Sequence, residues 1–317
     1  MDLRFVLAKE IAEGGLLAVA NNVAQKPYQF RILVPYLARL LLHLNIWPFD
    51  SPGHVARALE TLATLAALLA FRWYVSLFIK SRPLVLGSSL ILLLVLPFQY
   101  LFPRILPVLF CQDLPSVAFF TIGLACLYKQ KWAVYYPLFV LATLNRETTC
   151  FLTVVYLFVR LGRDKPARIA AHVLIQLAIW IGERWLLAQC FASNGGPANG
   201  YDNGLDIYLY EDAGLSHLRD NLRYFTLANL PFFLSNIGFL WVVVAIGYRR
   251  IPDLFVRRSV LVSLPMFAGM MVVGTISEIR IFGELVPVFS AAFLLLLETS
   301  MRNARPGASP SEAVHAG

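Results

Sequence analysis

The sequence predicts an all-α protein, a polytopic integral membrane helix bundle with about eight to ten membrane segments in a single transmembrane domain over 1–302. Of its 317 residues, 58% are hydrophobic and only 15% are charged, whereas soluble domains have about 45–50% apolar and about 25% charged residues. Three stretches, 83–103, 224–248 and 259–277, contain no acid, lysine, arginine or histidine. Each is close to the ~20 residues that a helix needs to cross a bilayer core. None alternates in polarity as the strands of a membrane barrel do.

The net charge of +8 indicates topology rather than nucleic-acid binding. Cytoplasmic connections carry an excess of lysine and arginine, whereas a nucleic-acid site concentrates these residues on one solvated face. Here they form five clusters between apolar stretches, and the intervening segments carry more acids than bases. We therefore predict a multi-pass protein with a cytoplasmic C-terminus and no nucleic-acid partner. The clusters are Lys80/Arg82, Lys129/Lys131, Arg160/Arg163/Lys165/Arg168, Arg249/Arg250/Arg257/Arg258 and Arg302/Arg305.

The segments follow in order from this charge pattern. Residues 27–47 are predicted to form an amphipathic helix at the outer interface, because Arg31, Pro35, Arg39 and His43 recur every four residues on one helix face. Before it, 5–20 either serves as a short span or a first helix is lacking. The later spans alternate in direction. The inward spans are 55–79, 114–128, 224–248 and 281–298, and the outward spans are 83–103, 169–189 and 259–277. An outer loop is predicted over 190–223 and a disordered cytoplasmic tail over 303–317.

The segment 132–159 is predicted to be a re-entrant hairpin, because basic clusters flank both of its ends. Its halves, 132–145 and 148–159, have 14 and 12 residues, which is about 18–21 Å of helix and too short for a full span. The apex Asn145-Arg146-Glu147 then stops at membrane depth, where irregular backbone requires a protein or water cavity. The alternative is one long tilted helix, which inverts every later segment.

Ionisable residues within membrane segments are functional candidates by default. The topology places six of them at or below the outer surface, so we expect them to meet in one water-filled chamber. They are Arg146 and Glu147, then Glu278, Arg280 and Glu284, then Asp113.

In two alternative interpretations these residues have a purely structural role. Buried Arg–Glu pairs can hold helices together, here Arg146 with Glu278 and Glu147 with Arg280. Asp113 precedes Leu114-Pro115 and fits a helix N-cap. The sequence has no CxxC motif or His/Cys cluster, so we expect no metal site and no cofactor, and a requirement for a divalent metal is left open.

Four segments of the chain resemble bacterial membrane proteins of the GT-C glycosyltransferase type. The resemblance extends over about 27–298, and its motifs are loose. The segments are Pro27-Tyr28-Gln29-Phe30-Arg31-Ile32-Leu33-Val34-Pro35, Asp113-Leu114-Pro115, Leu144-Asn145-Arg146-Glu147-Thr148, and Glu278-Ile279-Arg280-Ile281-Phe282-Gly283-Glu284-Leu285-Val286-Pro287.

The resemblance implies an inverting enzyme of the bacterial inner membrane that moves a sugar from a polyprenyl-phosphate donor to a glycan, lipid or protein acceptor in the periplasm. Its partners are then membrane lipid, the lipid-linked donor and the acceptor. Such chemistry needs a carboxylate base, a cation for the departing phosphate and an apolar groove for the lipid. Asp113 or Glu147 would be the base, with Arg146 or Arg280 as the phosphate partner. Glu278, Glu284 and Arg31 complete the predicted substrate-binding set.

Family members usually place a catalytic acid in the first outer loop, where this chain offers only Asp50. Two other functions therefore stay open. One is a transporter or flippase for a lipid-linked or small polar solute, which predicts internal repeats and a midplane site between broken helices; the sequence shows no repeat. The other is a non-catalytic partner in envelope polysaccharide assembly.

Overall fold

The structure, a computed structural model, describes residues 16–22, 24, 28–44, 51–100, 110–192, 213–274 and 276–304. Throughout these ranges the chain forms helices joined by short turns, and they contain no β-strand. Most of the segment 5–20, the greater part of the outer loop and the tail from residue 305 lie outside the described residues.

The α-helices of the described ranges are α1 (Leu16–Ala20), α2 (Leu33–Leu44), α3 (Pro52–Val75), α4 (Arg82–Tyr100), α5 (Asp113–Lys129), α6 (Trp132–Asn145), α7 (Phe151–Arg160), α8 (Pro166–Cys190), α9 (Ala213–Tyr224), α10 (Leu230–Ser235), α11 (Leu240–Gly247), α12 (Leu254–Ser259), α13 (Ser263–Val273) and α14 (Val286–Asn303). Short 3₁₀ segments join several of them: Tyr28–Phe30, Glu147–Cys150, Asn236–Phe239, Tyr248–Arg250, Val260–Val262 and Ile279–Leu285.

Six helical runs in the described part are long and apolar enough to cross a membrane. This confirms a multi-pass membrane helix bundle. The run that ends in α14 is the most buried of the six, with 89% of its apolar 18-residue stretch buried, and α8 is the least buried, with 11%. α8 therefore lies at the periphery, where exposed Leu174, Ile181 and Trp185 suit a lipid-facing surface. The six runs are Pro52–Val75, Arg82–Tyr100, Pro166–Cys190, Leu230–Arg250, Leu254–Val273 and Ile279–Asn303.

The helix ends that carry the basic clusters meet at one end of the bundle, which we call the basic layer. The Glu298 carboxylate near the end of α14 accepts a hydrogen bond from the backbone N–H of Lys80 between α3 and α4 (3.1 Å). Arg258 of α12 donates to the carbonyl of Leu161 after α7 (2.7 Å). The alternating span directions require this arrangement, and the assignment of the layer to the cytoplasm stays a prediction.

α6 and α7 form a helical hairpin. α6 ends at Asn145, and Arg146 then adopts extended backbone before the 3₁₀ turn Glu147–Cys150. The rings of Trp132, at the start of α6, and Tyr156, near the end of α7, have centroids 5.4 Å apart. The chain therefore turns back at Arg146 and returns to the basic layer. The alternative of one long helix is wrong, and the depth of the hairpin in a bilayer stays a prediction.

The amphipathic helix predicted over 27–47 begins later than expected. α2 starts at Leu33, and Pro35 lies in its first turn, where a missing backbone N–H costs nothing. Arg31 precedes the helix and is buried, so it does not share a face with Pro35, Arg39 and His43 as predicted.

The predicted span 224–248 is instead a discontinuous helical run over Leu230–Arg250. At its break, Ile237, Gly238 and Phe239 have φ values of 54°, 58° and 63°. A β-branched residue such as Ile237 rarely occupies this left-handed region, so the break is strained. The buried side chain of Gln99 holds it, because Gln99 Oε1 accepts from the N–H of Ile237 (3.4 Å) and its amide donates to the carbonyl of Ile279.

Candidate functional site

The end of the bundle opposite the basic layer contains a buried group of charged side chains, which we call the charge network: Asp113, Arg146, Glu284 and Arg280. Three elements supply them. Asp113 is the first residue of α5, Arg146 is the apex of the hairpin, and Arg280 and Glu284 lie on the 3₁₀ segment before α14. Arg280 is the most exposed of the four, at 8%. Charges buried this completely are tolerated only when they are paired.

One carboxylate of the charge network bridges two guanidinium groups. Asp113 Oδ1 accepts a hydrogen bond from Arg146 Nη1 at 3.1 Å and lies 3.6 Å from Arg280 Nη1. Its Oδ2 accepts from the backbone N–H of Phe110 at 3.0 Å. Both oxygens of Asp113 are therefore engaged, and the N-cap of α5 is Gln112. The N-cap alternative for Asp113 is wrong, because its carboxylate turns toward the two arginines.

Glu284, the fourth network residue, and Glu278, outside the network, extend these contacts. Arg146 Nη1 also lies 3.6 Å from Glu284 Oε1, and the Thr148 hydroxyl donates to the same oxygen. Arg280 pairs with Glu278 at 2.6 Å, and the side chain of Glu278 is 51% exposed. Arg280 thus connects fully buried Asp113 to Glu278, a carboxylate at the surface outside the network.

The expected pairs Arg146–Glu278 and Glu147–Arg280 are wrong. Glu147 pairs with Arg31, through a hydrogen bond from Arg31 Nε to Glu147 Oε2 (3.1 Å) and a second one from Nη2 to Oε1. The physical reason is the extended backbone of Arg146, because side chains along such backbone point to opposite sides. Arg146 therefore faces α5, and Glu147 faces the segment that contains Arg31.

Helix α8 supports this second pair from the outside of the hairpin. Trp180 Nε1 donates to the backbone carbonyl of Glu147 (2.9 Å). Arg184 Nη2 donates to the carbonyl of Thr143 (2.8 Å), near the end of α6. The apex is thus fixed on both sides, and its irregular backbone lies against protein, as membrane depth requires.

Two aromatic residues that border the charge network were missed by reasoning from the sequence. Arg280 Cζ lies 4.1 Å from the centroid of the Phe110 ring, within the range of a cation–π contact. The buried hydroxyl of Tyr100 lies so close to Gly283 that a Cβ there would overlap it. The glycine in the motif Ile281-Phe282-Gly283-Glu284 was a usable signal, because it indicates close approach of another group.

Several polar atoms of this region have no hydrogen-bond partner among the described residues. They are Arg146 Nε, Arg280 Nη1, Glu284 Oε2 and the Tyr100 hydroxyl. A buried polar group left in this way costs about 1–3 kcal/mol. The arrangement therefore holds donors, two of them on guanidinium groups, that suit an anion or a hydroxyl-rich ligand.

An apolar cavity of about 530 Å³ lies beside the same 3₁₀ segment. Its walls come from the discontinuous run, from α13 and from Phe282 and Leu285, which lie on either side of Gly283 and Glu284 in the segment. Ile279–Leu285 therefore contributes both to the charge network and to the cavity. The bulky members of the lining include Phe233, Ile237, Trp241, Phe267, Phe282 and Leu285.

The described residues contain no group of three or more histidine, cysteine, aspartate or glutamate side chains that could hold a metal ion. Comparisons of the chain with protein-family models, curated proteins and solved structures find no match. The functional argument therefore depends on the geometry of this region.

Proposed function

We propose that this protein is a GT-C-like glycosyltransferase of a bacterial inner membrane, which moves a sugar from a polyprenyl-phosphate donor to a glycan, lipid or protein acceptor on the periplasmic side. One observation carries the proposal: Arg146 and Arg280 converge on Asp113, at 3.1 and 3.6 Å, next to an apolar cavity of about 530 Å³. A lipid phosphate has the matching combination of an anionic headgroup and an apolar chain.

Arg280 is the residue best placed to bind the phosphate. It lies nearest the surface of the network, through its pair with half-exposed Glu278, and its Nη1 makes no hydrogen bond with a described residue. Guanidinium groups keep their charge and bind phosphate oxygens through paired, charge-assisted hydrogen bonds. Such a group stabilises the negative charge that grows on a departing phosphate.

Asp113 has a positioning role in this proposal. Its two oxygens hold Arg146, Arg280 and the N–H of Phe110, so it fixes the direction of both guanidinium groups. Glu147 is held in the same way by Arg31. Either carboxylate would have to release a bound arginine before it accepted a proton from a substrate.

The test is Arg280→Ala, expressed in a deletion strain of the parent organism. We expect loss of the cell-surface glycan, with the amount of protein in the membrane unchanged. Arg219→Ala is the matched control, because Arg219 is an exposed arginine of α9 paired only weakly with Asp220 at 3.6 Å. A wild-type glycan in the Arg280 variant at normal abundance contradicts the proposal and favours a non-catalytic partner in envelope polysaccharide assembly.

The discontinuous helix favours a second candidate, a transporter or flippase for a lipid-linked solute. Transporters bind substrates between helices broken near the midplane, and the break at Asn236–Phe239 lines the apolar cavity. Purified protein in liposomes separates the two functions. A transferase cleaves the sugar–phosphate bond of a supplied polyprenyl-phosphate sugar, whereas a flippase moves the intact lipid between leaflets.

A further inference from the structure

Glu60 carries a carboxylate inside a membrane-spanning helix and has no role in the mechanism described so far. It lies in α3 on the side marked by buried Ala56, Leu59 and Ala67, and it is half-buried itself. This side packs against α5, the helix that begins at Asp113.

Two observations place Glu60 beside the charge network. Its neighbour Leu59 belongs to the same buried apolar cluster as Cys111, which comes two residues before Asp113. Glu60 also lies one helical turn after Ala56, which belongs to the same buried cluster. Glu60 thus borders the network from α3, and the hairpin and the 3₁₀ segment border it from other sides.

Glu60 differs from the other carboxylates of this region in its bonding. Arginine binds Asp113 and Glu147, and a threonine donates to Glu284. No ion pair or side-chain hydrogen bond joins Glu60 to any residue in the described ranges. An unpaired carboxylate among apolar helices is costly, and such residues commonly mark a functional site.

We propose, on the basis of the proposed function, that Glu60 is the general base of the transfer reaction. Its carboxylate takes the proton of the acceptor hydroxyl while that oxygen forms a bond to the anomeric carbon of the sugar. The bond from this carbon to the phosphate oxygen breaks, and its electron pair leaves with the phosphate, which Arg280 stabilises. Glu60 then returns the proton to water. It accepts the proton without breaking an ion pair, which Asp113 and Glu147 cannot do.

The test compares Glu60→Gln with Glu60→Asp in the full-length protein. A general base contributes about 10²–10⁴-fold to a rate, so we expect Glu60→Gln to lower glycan synthesis by about 100-fold or more. Binding of undecaprenyl phosphate to the purified protein and abundance in the membrane should stay at wild-type values. Glu60→Asp, which keeps the carboxylate but moves it, should give an intermediate rate.

Glu183→Gln is the matched control, because Glu183 is another partly buried glutamate of a membrane helix whose carboxylate makes no hydrogen bond to a described residue, and it lies in α8, which supplies no member of the charge network. It should leave synthesis unchanged. Wild-type synthesis in Glu60→Gln overturns the role of Glu60. So does a loss of undecaprenyl phosphate binding, or a fall in abundance that accounts for the lost glycan. The Arg280→Ala variant decides the proposed function separately, because it should lose both binding and synthesis whatever Glu60 does.

Discussion

At the basic layer, charged side chains bind mainly backbone groups where helices end, whereas at the charge network they bind mainly one another. Glu298 accepts from the N–H of Lys80, and Arg258 donates to the carbonyl of Leu161. These bonds satisfy the free backbone groups of helix termini. In the charge network, Asp113 instead holds Arg146 and Arg280.

The two ends therefore differ in what their charges accomplish. Charges at the basic layer bind the free backbone groups at helix ends. The network buries its charges almost completely and leaves polar atoms on Arg146, Arg280 and Glu284 without hydrogen bonds to described residues. Stability alone does not favour such an arrangement, since apolar side chains of similar volume often stabilise a core equally well or better. This contrast is the main physical support for the proposed ligand-binding role of the network.

The largest expected effect is that of Arg146→Ala. It leaves the carboxylates of Asp113 and Glu284 buried without the guanidinium that joins them. Removing one partner from a buried ion pair costs about 3–5 kcal/mol. We expect a large decrease in folded protein, measured as the midpoint of thermal unfolding in detergent.

The control for this prediction is Arg258→Ala in the basic layer, whose guanidinium binds backbone carbonyls near the end of α7. It should lose about 1.5–3 kcal/mol, as expected for hydrogen bonds to a charged group. Equal losses in the two variants would remove the distinction between the two ends of the bundle.

An intermediate effect is expected for Gly283→Ala. The new Cβ would overlap the hydroxyl of Tyr100, which lies on neighbouring α4. Overpacking of this kind costs about 1–3 kcal/mol, and Tyr100→Phe in the same chain should restore part of the loss by removing the hydroxyl. Gly87→Ala is the matched control, because no atom lies within 4 Å of a Cβ at that position of α4. An unfolding midpoint in Gly283→Ala equal to that of Gly87→Ala would contradict the packing described for the network.

The coarse architecture could be predicted because a bilayer imposes it. Uncharged stretches and basic clusters predicted apolar membrane helices, and two short halves flanked by basic residues predicted the hairpin at Arg146. The break at Asn236–Phe239 could not be predicted, since a tertiary contact with Gln99, far away in the chain, holds Ile237 in a left-handed conformation.

The site could be predicted only as a set of residues. Which carboxylate binds which arginine depends on the backbone of Arg146, and this backbone separates Glu147 from the network. Glu60 was accessible to the same reasoning, because it is an ionisable residue within the predicted span 55–79. The aromatic contact between Phe110 and Arg280 had no sequence signal, because it joins residues far apart in the chain.

The smallest change in stability is expected for Glu298→Gln at the basic layer, and Glu284→Gln is the same substitution in the charge network. Glu298→Gln keeps an oxygen that can accept from the N–H groups of Lys80 and Ser81, and it loses only a pair with Arg302, whose side chain is 58% exposed. Exposed pairs contribute about 0–1 kcal/mol, so the unfolding midpoint should scarcely change. Glu284→Gln removes the charge that faces buried Arg146 and should lower both the midpoint and glycan synthesis. If the two variants behave alike, the network is a set of helix contacts like those of the basic layer, and the case for a ligand there is lost.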